Sequence, residues 1–299
     1  MPYLPDSVLS HLRKVAELPD LSGTRYQVES ELGRGGMGVV YAAMDEQLGR
    51  RVALKVTASG FSGGAAQRLM DEAKIVASLE HPGIVPVYDA GCLADGRFYC
   101  AMKLVEGKRL REHAQDLTLR ERLRVFQKVC EAVAFAHSRG VIHRDLKPEN
   151  IMVGAFGEVF VMDWGVALAG TNEESGVMAG TPRYMAPEQA SSNGIHLDSR
   201  ADVYALGVIL RELAGEDAPK ALKAIAAKAS SVSPDERYPT ATGLRAETDR
   251  YLDGLAVQAY RENVWERATR FAARNQTLLL LLAAYVVVRF LLLFLRPAT

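Results

Sequence analysis

The chain has 299 residues, 48% of them hydrophobic and 24% charged, which is ample for a large core and suits one big domain or two lobes. Its 36 basic and 36 acidic side chains cancel, so no global field selects nucleic acid as a partner. Three scattered cysteines, Cys92, Cys100 and Cys130, exclude a disulfide framework and a zinc site, suit a reducing compartment and read as packing residues.

Residues 1–25 form a lead-in rich in prolines and charges, with no basic start followed by an apolar core, so no signal peptide is expected. Three β-rich alternating stretches follow at 26–33, 39–46 and 51–58, separated by glycine and polar residues. Residues 64–80 have helical periodicity and stop before Pro82. Two further strands are expected at 84–91 and 97–105. After Glu106 and Gly107 the pattern turns helical, with a long amphipathic helix over 118–138 that ends at Gly140. A polar loop leads to short strands at 151–153 and 158–162. An irregular stretch runs from 163 to about 190, and helices resume over 198–214, 218–229 and 241–253. A sheet-rich first part and a helix-rich second part predict an α+β protein of two lobes, with no internal repeat.

The C-terminus stands apart. Leu278 to Leu295 carries a single charge, Arg289. One arginine costs about 3 kcal/mol near a helix centre, whereas each Leu, Val or Phe returns roughly 0.3–0.6 kcal/mol, so a transmembrane helix over 277–296 is expected. Arg261, Arg267, Arg270 and Arg274 precede it and only Arg296 follows. The excess of arginine on that side predicts a single-pass protein with its large N-terminal part in the cytoplasm and a very short tail beyond the bilayer.

Several clusters carry chemistry. Gly33, Gly35 and Gly38 have the G-x-G-x-x-G spacing that lets a backbone approach phosphates. A β-rich stretch follows the third glycine, which argues against a dinucleotide-binding fold, where a helix would follow. Lys55 sits among Val52, Ala53, Leu54 and Val56, a strand expected to be buried on both faces, so the ammonium needs an anionic partner. Glu72 interrupts the apolar stripe of the 64–80 helix and is the expected partner. "VIHRDLKPENIMV" crowds His143, Arg144, Asp145, Lys147, Glu149 and Asn150 between two apolar runs. Asp145 can accept a hydroxyl proton, Lys147 can neutralise a phosphate, and Asn150 and Asp163 are hard oxygen ligands suited to Mg²⁺.

In this order, the glycine loop, "VALK", the helix glutamate, "HRDLKPEN", D-x-G and Ala186-Pro187-Glu188 resemble the protein kinase superfamily over residues 26–253. "GTPRYMAPE" and Lys147 resemble its serine/threonine class, and "GRGGMGVVY", "HPGIVPVYDAG" and "APEQA" resemble the eukaryotic-like kinases of bacteria, in which one membrane helix after the kinase domain is common. The resemblance implies a β-rich N-lobe over 26–105, a helical C-lobe over 106–256, a basic juxtamembrane linker over 257–276 and the membrane helix. It also implies roles. Gly33, Gly35 and Gly38 would cover the ATP phosphates, and Val40 and Ala53 would pack on adenine. Met102 would sit behind the adenine, and Lys103 and Val105 would offer it backbone hydrogen bonds. Lys55, positioned by Glu72, would hold the α- and β-phosphates. Asp145 would orient and deprotonate the substrate hydroxyl, Lys147 would stabilise the transferring phosphoryl group, and Asn150 and Asp163 would hold Mg²⁺, with Mn²⁺ as the alternative. Thr181 would brace Asp145 and Lys147, Glu188 would pair with Arg237, and Asp202 would hold the catalytic-loop backbone.

The implied activity is transfer of the ATP γ-phosphoryl group to Ser or Thr hydroxyls of proteins, with autophosphorylation and membrane-tethered signalling. The alternative is a membrane-anchored pseudokinase that binds nucleotide without efficient transfer. The chain departs from the family in three places. Trp164 replaces the usual Phe after Asp163. The activation segment is short, with Thr171 and Ser175 its only phosphosites before Thr181. The stretch between Leu213 and Pro219 is abbreviated. The C-terminal helix is the sole basis for expecting a homodimer.

Overall fold

The computed structural model describes residues 18–35, 38–58, 70, 73–164, 182–190 and 197–294. Alternating sequence near the N-terminus becomes a five-stranded antiparallel sheet: β1 (Tyr26–Gly35), β2 (Gly38–Asp45), β3 (Arg50–Thr57), β4 (Val87–Cys92) and β5 (Phe98–Lys103), in the spatial order β1-β2-β3-β5-β4. One face buries Tyr41, Ala43, Val52, Leu54, Val56 and Ala101 in a core of its own. Period-2 alternation leaves the opposite face free to line a cleft. The strand expected from residue 84 starts only at Val87. Ile84 instead bridges to Val161, and the carbonyl of Pro86, which has no N–H to give a ladder, accepts from Lys103 N at 3.1 Å. Of the 64–80 helix, 70 and 73–77 are helical among the described residues.

A second, three-stranded sheet, β6 (Gly107–Arg109), β7 (Ile151–Gly154) and β8 (Val159–Val161), lies in the order β6-β7-β8. Strand β6 replaces the start of helix expected after Glu106. Its three exposed residues have no apolar alternation to read, and pairing with β7 makes the strand. A Cβ at Gly107 would stand 2.1 Å from the Val153 carbonyl oxygen, so only glycine allows that approach.

The C-lobe is helical: α1 (Leu110–His113), α2 (Leu119–Ser138), α3 (Pro187–Ala190), α4 (Arg200–Ala214), α5 (Lys220–Ala229) and α6 (Ala241–Leu252). Helix α2 starts one residue later than its periodicity suggests because Thr118 is its N-cap, in a reciprocal capping box with Glu121. Leu123, Phe126, Val129, Cys130, Val133 and Ala136 then recur at helical spacing and are buried at the centre of the lobe, packed with α4, α5 and α6. The short link after α4 leads to Pro219, which caps α5. Cys100 and Cys130 are buried, and burial pushes the Cys100 thiol up to about 11, whereas Cys92 is exposed at the end of β4.

The basic stretch expected as a linker contains a helix, α7 (Val264–Arg274), opened by a capping box between Asn263 and Glu266. After it comes α8 (Gln276–Phe294). Among the described residues no single helix is long and apolar enough to cross a membrane. The pair Val264–Arg274 and Gln276–Leu291, bent by 84°, passes that test only together.

Candidate active site

The β1–β2 hairpin brings the glycines to the mouth of the cleft. Gly35 pairs with Gly38, and the space over Gly33 and Gly35 is open. Gly38 has φ 142°, and a Cβ there would stand 2.1 Å from the Val56 carbonyl oxygen, so β2 can lie against β3 only with glycine at this position. A strand, not a helix, follows the third glycine. Register then sets one face of the sheet. Val40 lies opposite Lys55, Lys55 opposite Cys100, and Ala53 opposite Met102. Directly opposed residues of antiparallel strands share a face, so Val40, Ala53, Lys55 and Met102 line one wall.

At the back of this wall Met102 packs with Val85, Val105 and Phe160, joined by Met152 and Met162. The Lys103 N–H is taken by Pro86, so a contribution from Lys103 to a ligand must come from its carbonyl. Val105 N has no hydrogen-bond partner among the described residues. Met152 was not singled out in the sequence, where it reads only as one apolar residue of β7.

The C-lobe supplies the other wall. Asp145 and Lys147 lie between α2 and β7, with Lys147 Nζ 2.7 Å from Asp145 Oδ2. Asn150 Nδ2 donates to the Asp145 carbonyl at 2.8 Å and to its Oδ2 at 3.3 Å. The β7–β8 ladder carries Asp163 alongside: Met162 N donates to Asn150 O at 2.8 Å, and Val161 N donates to Gly83 O at 2.8 Å. The end of β8 is thus tied to both lobes. Lys55 Nζ reaches across and bonds Asp163 Oδ1 at 2.7 Å. Burial pushes the Asp163 carboxyl up, but Lys55, His143 and Lys147 outweigh it and hold the pKa below the usual carboxylate value. Glu72, the partner expected for Lys55, lies outside the described residues, as do Thr171, Ser175 and Thr181. Among the described residues the anion that meets Lys55 is Asp163.

Two residues here hold left-handed backbone without being glycine: Arg144 at φ 66° and Asp163 at φ 58°. Such conformations cost of order 1–3 kcal/mol and persist only where surroundings over-determine them. Beneath Arg144 the cause is Asp202 of α4, 1% exposed. Its Oδ2 accepts from His143 N at 2.7 Å and its Oδ1 from Arg144 N at 2.9 Å, while His137 Nε2 lies 2.7 Å from Oδ2. Burial opposes ionisation of Asp202, but these donors and the two histidines prevail and lower its pKa. His143 is buried, with Nε2 2.8 Å from Met162 O, and Asp145 N donates to its Nδ1. Its ring lies 4.7 Å from that of Trp164. Trp164 is 3% exposed, sits in the C-lobe core and donates its indole N–H to Val161 O at 3.1 Å.

From below, the segment at 182–190 is pinned by a bidentate pair: Arg237 Nη1 and Nη2 meet the two Glu188 oxygens at 2.6 and 2.7 Å. The Gln189 amide donates to Arg144 O at 2.9 Å, joining this segment to the loop that carries Asp145. Sequence reasoning assigned no role to His137, His143 or Gln189. Their partners lie on distant segments, so local spacing carries no signal of these contacts.

The family described as protein kinase domain matches residues 26–252. Curated relatives include proteins named serine/threonine-protein kinase PknD. That of Chlamydia trachomatis serovar D is 35% identical, with 77% of this chain aligned to 32% of the relative. Those of Chlamydia caviae and Chlamydia abortus are 33% and 31% identical over 77% of this chain and 31% of each relative. The chain therefore spans about a third of the length of these relatives.

Proposed function

The chain belongs to the protein kinase family, and from that premise we propose that it is a serine/threonine protein kinase, transferring the γ-phosphoryl group of ATP to Ser and Thr hydroxyls of proteins. One observation carries the reading most strongly. Asp145, Lys147 and Asn150 form one bonded cluster, beside Asp163 and its partner Lys55. Together they supply an acceptor for a hydroxyl proton, two cations for phosphate oxygens and two oxygen ligands.

The chemistry asks little covalent work of the protein. Lys55 would hold the α- and β-phosphates of ATP under the glycine hairpin, with adenine between Val40, Ala53, Met102 and Val105. The substrate hydroxyl would approach Asp145, which orients it and takes its proton as the oxygen attacks the γ-phosphorus in line with the departing ADP oxygen. Lys147, already 2.7 Å from Asp145, would neutralise charge on the transferring group. Protein kinases use divalent metal ions, and the donor set fits one. Asn150 spends its amide hydrogens on Asp145, so its oxygen can serve as ligand, and the second Asp163 oxygen has no partner among the described residues. We assign this site to Mg²⁺, which when bound would offset phosphate charge.

Phosphorylation at Ser175 belongs to the same reading. The buried Nε of Arg144 has no hydrogen-bond partner among the described residues, and a phosphate is a suitable one. Membrane tethering through 277–296, with the kinase lobes cytoplasmic and dimerisation driving trans-phosphorylation, is supported by the apolar run and the arginines before it. The decisive test incubates the full chain with labelled ATP and Mg²⁺ beside an Asp145→Asn variant. Label on Ser or Thr that disappears in the variant is expected. Nucleotide binding without transfer would favour the pseudokinase reading, and equal transfer by the variant would refute the role of Asp145.

A further inference from the structure

Helix α7 has two unlike faces. At 100° per residue Val264, Trp265, Ala268, Phe271 and Ala272 fall on one arc, and Glu266, Arg267, Arg270 and Arg274 fall on the other. The polar arc is bolted to the C-lobe. Tyr260 Oη, packed on the C-lobe core, donates to Glu266 at 3.0 Å, Lys220 of α5 reaches the same carboxylate at 3.4 Å, and Arg270 Nε donates at 2.8 Å to Glu262 just ahead of the helix. A cleft lined by Arg120, Arg270 and Arg274 separates this face from α2 and α6. These bonds fix the rotation of the helix, so the apolar arc points away from the protein. Val264, Trp265 and Phe271 are 82%, 81% and 60% exposed, against the usual tendency of large apolar side chains to be buried. Arg267 and Arg274 have no ion-pair partner among the described residues. At Asn275, whose side chain donates to Phe271 O, the chain turns by 84° into the apolar helix α8.

A helix perpendicular to a membrane-crossing segment lies in the plane of the membrane. We propose that α7 is an interfacial helix. Its Val264–Trp265–Phe271 arc would sink into the boundary between headgroups and acyl chains, and Arg267 and Arg274 would meet anionic lipid phosphates. The inference rests on the membrane-tethered reading of α8. Its consequence is orientation: the bonds of Glu266 to Lys220 and Tyr260 would hold the C-lobe at a set angle to the bilayer instead of on a loose leash.

The tryptophans provide the test. The chain has two, and Trp164 is 3% exposed inside the C-lobe, whereas Trp265 lies at the end of α7 away from α8. Ten residues at a rise of 1.5 Å each separate Trp265 from the junction at Asn275 by roughly 15 Å if α7 stands off the surface, and by none in depth if it lies flat. The full chain is reconstituted into phosphatidylcholine–phosphatidylglycerol vesicles whose acyl chains are brominated just below the headgroups, and carbonate resistance reports insertion of α8 separately. About half of the tryptophan emission should be quenched, and Trp265→Phe should abolish the quenching while leaving insertion and fold intact. Replacing phosphatidylglycerol by phosphatidylcholine, or Arg267 and Arg274 by Gln, should weaken the interfacial contact about fivefold per arginine. Carbonate-resistant chain with unquenched Trp265 overturns the inference and leaves tethering standing. Extractable chain with unquenched Trp265 overturns both. Extractable chain with quenched Trp265 overturns tethering and supports the interfacial helix.

Discussion

The catalytic-loop wall of the site and the glycine-hairpin wall differ in how their polar groups are held. Asp202 alone fixes two successive backbone amides and His137. His143 fixes Asp145 N and Met162 O, and Arg237 grips Glu188 with two bonds. Most of these groups are buried. Across the cleft, Lys55 of β3 meets Asp163 with both side chains accessible, 26% and 42% exposed. The difference teaches where side chains are held most firmly. The groups proposed to meet the transferring phosphoryl group are fixed by several buried hydrogen bonds, whereas Lys55 is held by an accessible ion pair.

Breaking each wall should therefore give a different signature. The largest effect is expected from Lys55→Met or Asp163→Ala, which should cost phosphoryl transfer about 10³-fold or more, with a thermal midpoint close to that of the parent, since the pair is solvent-accessible. Steady-state kinetics with melting curves checks both halves of that statement. Next, Arg237→Ala leaves Glu188 buried without a counter-ion, and removing one partner of a buried pair costs about 3–5 kcal/mol. A drop in melting temperature of roughly 10 °C is expected, and Glu188→Gln in the Arg237→Ala background should recover part of it.

Asp202 sharpens the contrast through pH. Its folded pKa lies below the ordinary value of 3.8, so its contribution is complete above that value and is lost as pH falls through the folded pKa. Asp202→Asn should lower stability by about 2–3 kcal/mol at neutral pH. The gap between the two melting curves should begin to narrow below the ordinary value of 3.8 and go on narrowing as pH falls through the lower folded pKa. A gap that stays constant to pH 2 would show that the carboxylate charge is not what holds the loop. The smallest effect is expected at Trp164→Phe, which loses the bond to Val161 O and some packing, about 1–2 kcal/mol. Transfer should change less than threefold, and a larger change would mean that the indole tunes the position of Asp163.

Much of the fold was legible, because its signals are periodic. Strands β1 to β3 follow from alternation, and α2, α4, α5 and α6 from apolar spacing and capping residues. Strand β6 and helix α7 were not, nor was the short α3, which falls inside the stretch expected to be irregular. Strand β6 is three polar residues that exist because β7 offers them a ladder, and α7 hid inside an arginine-rich stretch that reads as a linker until its two arcs are separated. The candidate site was legible in part. Its charged residues are conspicuous because a solvated loop has no use for that combination. The sequence could not say that Lys55 meets Asp163, since the two are 108 positions apart.

The sequence by itself determined the family, the chemistry-bearing side chains and the order of the elements, because residue types at fixed short spacings are local facts. It also determined that Asp163, Trp164 and Gly165 stand together after β8. Only the tertiary structure decided which way Trp164 points, which carboxylate Lys55 meets, that Asp202 clamps His143 and the strained Arg144 from a helix far along the chain, and that α7 turns its apolar arc outward. These depend on contacts between distant segments, whose geometry is set by packing the whole lobe and leaves no trace in any short stretch of sequence.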